Sequence, residues 1–147
     1  MSLLRFTTAR FLISGALAAG LAFSNIGSAP ASTLRNNIEV FAALAKAQDK
    51  NFKSFSASRG QSLFSSRPAT GKPDTPSCTS CHTADPKGVG QTRAGKEIAP
   101  MALSSSPDRY TDPKKIEKWF RRNCKSVLGR VCTALEKGDF LTFMSSQ

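Results

Sequence analysis

Cys78, Cys81 and His82 lie within five consecutive positions, as Cys-Thr-Ser-Cys-His. Two thiols three positions apart share one turn, and an imidazole follows at once. Thiols so placed can add across the two vinyl groups on one edge of a haem, and the imidazole then reaches the iron. The pattern predicts one covalent haem c on Cys78 and Cys81, with His82 as an axial iron ligand. Two other chemistries use a C-x-x-C pair. A redox dithiol should sit in a βαβ pattern, and none is visible. A zinc site takes four ligands, usually as two close pairs. Cys124 and Cys132 have seven residues between them, and His82 is the only histidine.

The residue opposite His82 decides what such a haem does. A thioether there marks an electron carrier. Met144, near the chain end, reads as core packing. Met101, in Ile98-Ala99-Pro100-Met101, is a candidate sixth ligand, although only 19 residues beyond His82. Asn123 is the second candidate. It interrupts the apolar stripe Ile116, Trp119, Phe120, Val127 and Leu128, and an unpartnered buried amide costs about 1–3 kcal/mol. Either it bonds to backbone or to a haem propionate, or its amide oxygen faces the iron. Cys124 follows directly and can pair with Cys132 in an oxidising compartment.

These residues need elements to hold them. Residues 34–50 read as a helix, with Asn36 or Asn37 as cap and Ile38, Phe41, Leu44 and Ala45 at helical spacing. A short helix spans about 58–65, where Gly60 would let two helices cross closely. Residues 66–77, rich in proline, form a loop delivering the haem motif. Residues 83–112 show little periodicity and need something to wrap around; Arg93 and Lys96 there either meet propionates or are solvated. Asp112 and Pro113 open an amphipathic helix with Lys114, Lys118, Arg121, Arg122 and Lys125 on its polar face and Gly129 at its end. Thr133 and Glu136 form a capping box for the last helix, whose apolar side carries Phe140, Phe143 and Met144. No β-strand pattern stands out. The fold expected is mostly α, a small helical domain wrapped around one haem, with Trp119 and Phe120 in the haem pocket.

Residues 1–31 read as a cleaved secretory signal peptide. Arg5 and Arg10 precede an apolar run from Phe11 to Phe23, and Ala29-Pro30-Ala31 is a cleavage site. The run is short for a membrane span, so the expected contact with a membrane is through the signal peptide before cleavage. Residues 32–55 are then an N-terminal helical extension and 56–147 the haem domain. Cleavage removes 31 of the 147 residues and leaves 116. With Arg5 and Arg10 gone, the 21 Lys and Arg become 19 against 10 acids, a net charge near +9. The cations are scattered, without a basic block interleaved with aromatics, so no nucleic-acid partner is expected. In an exported haem protein the charge steers toward an acidic redox partner, and the expected location is the periplasm.

Arg59-Gly60-x-x-Leu63-Phe64 resembles the N-terminal helix of class I cytochromes c. A denser resemblance covers residues 71–147. Gly71-Lys72-Pro73-Asp74-Thr75-Pro76-Ser77-Cys78, Gly90-Gln91-Thr92-Arg93, Gly95-Lys96-Glu97-Ile98-Ala99-Pro100, Glu117-Lys118-Trp119 and Arg122-Asn123-Cys124 resemble the SHP-type (sphaeroides haem protein) oxygen-binding cytochromes c. The resemblance implies a class I-like helical fold, His82 and Asn123 as axial ligands of ferric haem, and a disulfide after the asparagine. It implies that the asparagine leaves on reduction, so that ferrous haem takes oxygen, nitric oxide or carbon monoxide. The implied partner is a redox cytochrome, a dihaem cytochrome c among the candidates. SHP-type chains can carry leucine at the place of Met101, and the related cytochrome c″ branch has histidine at the place of Asn123. Two functions follow: a gas-binding haem protein, of which turnover of oxygen or nitric oxide is one variant, or a plain electron carrier with a permanently six-coordinate haem.

Overall fold

Side-chain caps decide where three of the helices begin. The computed structural model describes residues 29–147; the signal peptide read from the sequence, up to residue 28, lies outside the described residues. The elements in chain order are α1 (Ala29–Gln48), α2 (Ala57–Ser65), α3 (Thr79–His82), β1 (Gly90–Gln91), β2 (Glu97–Ile98), α4 (Pro113–Leu128) and α5 (Ala134–Ser145). Ser56 accepts from the Arg59 amide at the start of α2. Asp112 accepts from the Lys114 and Lys115 amides at 2.8 and 3.1 Å, with Pro113 in the first turn of α4. Thr133 and Glu136 bond reciprocally at the start of α5, as the capping box requires. Gly129 ends α4 at φ +70°, where a β-carbon would be strained.

Two sequence expectations change here. Asn37 is not a cap. It lies inside α1, buried, and its Nδ2 donates to the Tyr110 carbonyl at 2.9 Å. Its amide satisfies a distant backbone group, and no local periodicity reveals that. The long loop is also not wholly irregular. β1 and β2 pair antiparallel, Gly90 with Ile98 and Gln91 with Glu97, around Gly95 at φ +77°. Strands of two residues are too short to carry an alternating pattern.

The core gathers around the crossing of α2 and α5. A β-carbon at Gly60 would overlap the Asp139 carbonyl and the Phe143 side chain, so the two helices cross closely there, as the glycine implied. Beside the crossing, Asp139 is 3% exposed. It accepts from the Ser56 amide at 2.7 Å and from Arg59 Nε and Nη2 at 2.7 and 2.8 Å. A buried carboxylate needs that set of donors, because its desolvation is otherwise uncompensated. A run of rings links four helices: Phe41 of α1 to Phe120 of α4 at 6.2 Å, Phe120 to Phe140 of α5 at 5.4 Å, and Phe140 to Phe64 of α2 at 6.1 Å. These centroid distances suit edge-on aromatic packing. Leu34 and Phe41 thus share one buried cluster with Phe64, Phe140, Leu141 and Met144. Among the described residues, no helix is long and apolar enough to cross a membrane.

Glu136 carries a pH-dependent share of the stability. Its hydrogen bonds from Arg130, and then from the Thr133 amide, hold its carboxyl below the usual range against the opposing effect of burial. A depressed carboxylate stabilises the fold above its unfolded pKa and loses that contribution as pH falls through the folded value. Glu136→Gln should therefore cost about 1 kcal/mol at neutral pH, and the cost should vanish in acid. Urea unfolding of both proteins at neutral and acidic pH checks this; a difference that grows in acid refutes it.

Candidate haem site

Ser77, 2% exposed, starts the site. Its hydroxyl accepts from the Thr79 amide and donates to the Phe64 carbonyl, both at 3.3 Å. This fastens the motif to the core. The Cys78 carbonyl then accepts from the Cys81 and His82 amides at 3.3 and 3.1 Å, so the two thiols and the imidazole share one helical turn. Gly90 backs that turn from the hairpin: a β-carbon there would overlap the Cys81 carbonyl.

The motif faces a cavity of roughly 680 Å³, within the range of ligand sites, about 300–1,000 Å³. The structure brings Cys78, Cys81, His82, Met101, Trp119, Phe120 and Asn123 to its wall. Met144, fully buried in the core, is not among its lining residues. Asn123 departs from the buried residue that the stripe suggested. It is exposed and makes no side-chain hydrogen bond among the described residues. Trp119 is likewise 50% exposed. Both line the cavity from α4 and are exposed, which explains how a polar residue sits within an apolar stripe. Met101 is buried and pinned from both sides. Its amide donates to the Pro86 carbonyl and its carbonyl accepts from the Tyr110 hydroxyl, both at 2.7 Å.

The donor set fits a haem. His82 Nδ1 is buried with no hydrogen-bond partner among the described residues. Burial, and then the charge of Arg109, lower the His82 pKa to about 4, which keeps the imidazole neutral, the form that ligates metals. Cys78 and Cys81 are free thiols on the same wall, and burial pushes Cys78 up to about 11. Cys124 and Cys132 are joined in a disulfide, eight positions and 5.6 Å apart at Cα. They are therefore unable to act as zinc thiolates. Arg93 pairs with Asp74, and Lys96 lies on the rim. Sequence reasoning missed Arg109 and Tyr110, which also line the cavity. They fall in an aperiodic loop, and their only signal was a cation-aromatic pair just before the Asp112 cap.

The chain and its fold resemble known proteins. A family described as a domain of unknown function (DUF1924) matches residues 50–144. The cytochrome c-type protein SHP of Cereibacter sphaeroides is 47% identical over 138 residues, covering 94% of this chain and 98% of that protein. The structure of oxidised SHP, an oxygen-binding cytochrome c, superposes with a TM-score of 0.71 at 49% identity, over 78% of this chain and 96% of that one. Oxidised cytochrome c″ from Methylophilus methylotrophus superposes with a TM-score of 0.67 at 28% identity, over 79% and 95%.

The disulfide closes a short loop at the end of α4 next to Asn123. Replacing both cysteines, Cys124→Ser with Cys132→Ser, should lower stability by about 2–3 kcal/mol. Urea unfolding of the purified protein measures this, and an unmoved midpoint would show that the link contributes nothing.

Proposed function

The chain belongs to the DUF1924 family and to the SHP-type c-type cytochromes, and from that premise we propose that it is an exported monohaem cytochrome that accepts electrons and binds a diatomic gas. The observation that carries this reading is Asn123, an amide without a side-chain partner among the described residues, on the wall of the same cavity as a neutral imidazole. When bound, the haem supplies an iron centre that exchanges one electron and takes up oxygen, nitric oxide or carbon monoxide.

The chain's residues do the rest. Cys78 and Cys81 would hold the haem through thioether bonds, and His82 would offer its iron an imidazole nitrogen. Asn123 would offer ferric iron an amide oxygen. That donor is hard and neutral, so it would suit ferric iron better than ferrous iron. Asn123 is exposed, so without the iron its amide would meet water, which keeps the cost of losing a partner low. Trp119 and Phe120 wall the position it leaves. The basic face of α4 steers an acidic redox partner, a cytochrome such as a dihaem cytochrome c, toward the cavity mouth. On that helix Lys118 Nζ and Arg122 Cζ lie over the Trp119 ring, 5.7 and 5.2 Å from its centroid.

A second reading has one observation in its favour. Met101 is buried on the same wall, and a thioether ligand would make this an electron carrier with a permanently six-coordinate haem. Optical spectra of haem-loaded variants separate the two. Asn123→Ala should abolish the ferric low-spin spectrum and leave ferrous carbon monoxide binding intact, while Met101→Ala changes neither. The reverse pattern would make Met101 the ligand and the protein a carrier.

Residues 1–31 act in this proposal as a signal peptide, residues 32–55 as an extension and 56–147 as the haem domain, with the mature protein in the periplasm. Cleavage after Ala31 would leave Ser32 near the start of α1. Intact mass of protein from a periplasmic extract should equal residues 32–147 plus one haem. The mass of the full precursor, haem-free, would overturn export and haem attachment together.

A further inference from the structure

Five cations stand on the cavity wall, Arg93, Lys96, Arg109, Lys115 and Arg122, against the single acid Glu97. Four of them are exposed, and only Arg109 is half-buried. Arg93 is already paired with Asp74, and Arg122 lies over the Trp119 ring. Arg109 has no carboxylate partner among the described residues. Its Nη1 donates to the Ala99 carbonyl at 3.0 Å, which fixes the guanidinium in the wall and leaves further N–H groups to offer. Its charge acts on both His82 and Tyr110, so it stands within the site. A cation taken partly out of water is costly unless an anion meets it, and a guanidinium is shaped to meet a carboxylate with two parallel hydrogen bonds. A haem brings two carboxylates.

We propose that Arg109 is the carboxylate-binding residue of this cavity and that it holds one haem propionate. This rests on the reading of the cavity as a haem site. It is preferred to Arg93, which the sequence left open between meeting a propionate and being solvated, because the Arg93 guanidinium is already paired with Asp74. It also assigns Arg109 a part in the redox chemistry. A fixed positive charge beside the propionate offsets its negative charge near the iron and so favours the ferrous state, the one that takes up gas. Arg109 is a positioning residue in this sense and touches no gas ligand.

The test uses haem-loaded protein carrying ¹³C-labelled propionates. Reduced-minus-oxidised infrared spectra read the labelled carboxylate bands, and spectroelectrochemistry reads the midpoint potential. Arg109→Gln should shift one labelled band and lower the potential. Arg109→Lys keeps the charge without the fork. It should shift the band while leaving the potential near that of the parent, and it serves where Arg109→Gln fails to load haem. Lys96→Gln should leave both unchanged. An unmoved band in Arg109→Lys, or a shift in Lys96→Gln in its place, overturns the assignment. The Soret band and mass of the parent protein report separately on the haem itself. Their absence would strike the underlying reading, whereas a normal haem with an unmoved band would strike Arg109 alone.

Discussion

An α-helix ends with carbonyls that have no partner within the helix, and in α4 the loop before Cys78 takes two of them. The Ser126 carbonyl accepts from the Lys72 amide at 2.7 Å and from the Thr75 hydroxyl at 3.2 Å, and the Leu128 carbonyl accepts from the Thr70 hydroxyl at 2.9 Å. Gly71 and Gly129 have no β-carbon to keep the two segments apart; at either one it would overlap backbone of the other. The loop that leads into the His82 turn is thus fastened, by one amide and two threonine hydroxyls, to the carbonyls at the end of the helix that bears Asn123. The cavity keeps its width because these two walls are tied at one edge. The disulfide between Cys124 and Cys132, both buried and both lining the cavity, closes the same corner.

The opposite edge of the cavity depends on aromatic packing. Phe120 lines it and is held between Phe41 and Phe140. α1 therefore supports the cavity wall from behind although it contributes no lining residue among those described. The bond from Asn37 to the Tyr110 carbonyl adds a second tie, and the Tyr110 hydroxyl in turn holds the Met101 carbonyl. Three segments far apart in sequence meet there, and a polar bond in an apolar setting specifies their registry.

The charges are divided between structure and partner recognition. The acids near the core are engaged: Asp139 with Arg59, Glu136 with Arg130, and Glu117 with Lys137. The cations of α4 and the cavity rim outnumber their partners. This imbalance leaves the face around Trp119 positive, and a neutral His82 adds no charge to it.

What the sequence determined by itself was whatever depends on near neighbours. The haem motif, the caps at Asp112 and Thr133, the Gly129 end and the close crossing at Gly60 were all legible, because each rests on residues a few positions apart or on one glycine. The SHP resemblance was legible for the same reason, in short runs of residues around the motif. Tertiary structure decided the rest. Asn37 became a long-range donor because its acceptor is 73 positions away. The hairpin formed without any pattern of its own, because it packs on the haem turn through Gly90. Arg93 was taken by Asp74, and Arg109 and Tyr110 became cavity residues, because the loop brings them against His82 and Met101. Asn123 proved exposed within an apolar stripe because that side of α4 forms a wall. Periodicity reports which residues share a helix face; what that face meets depends on how distant segments pack.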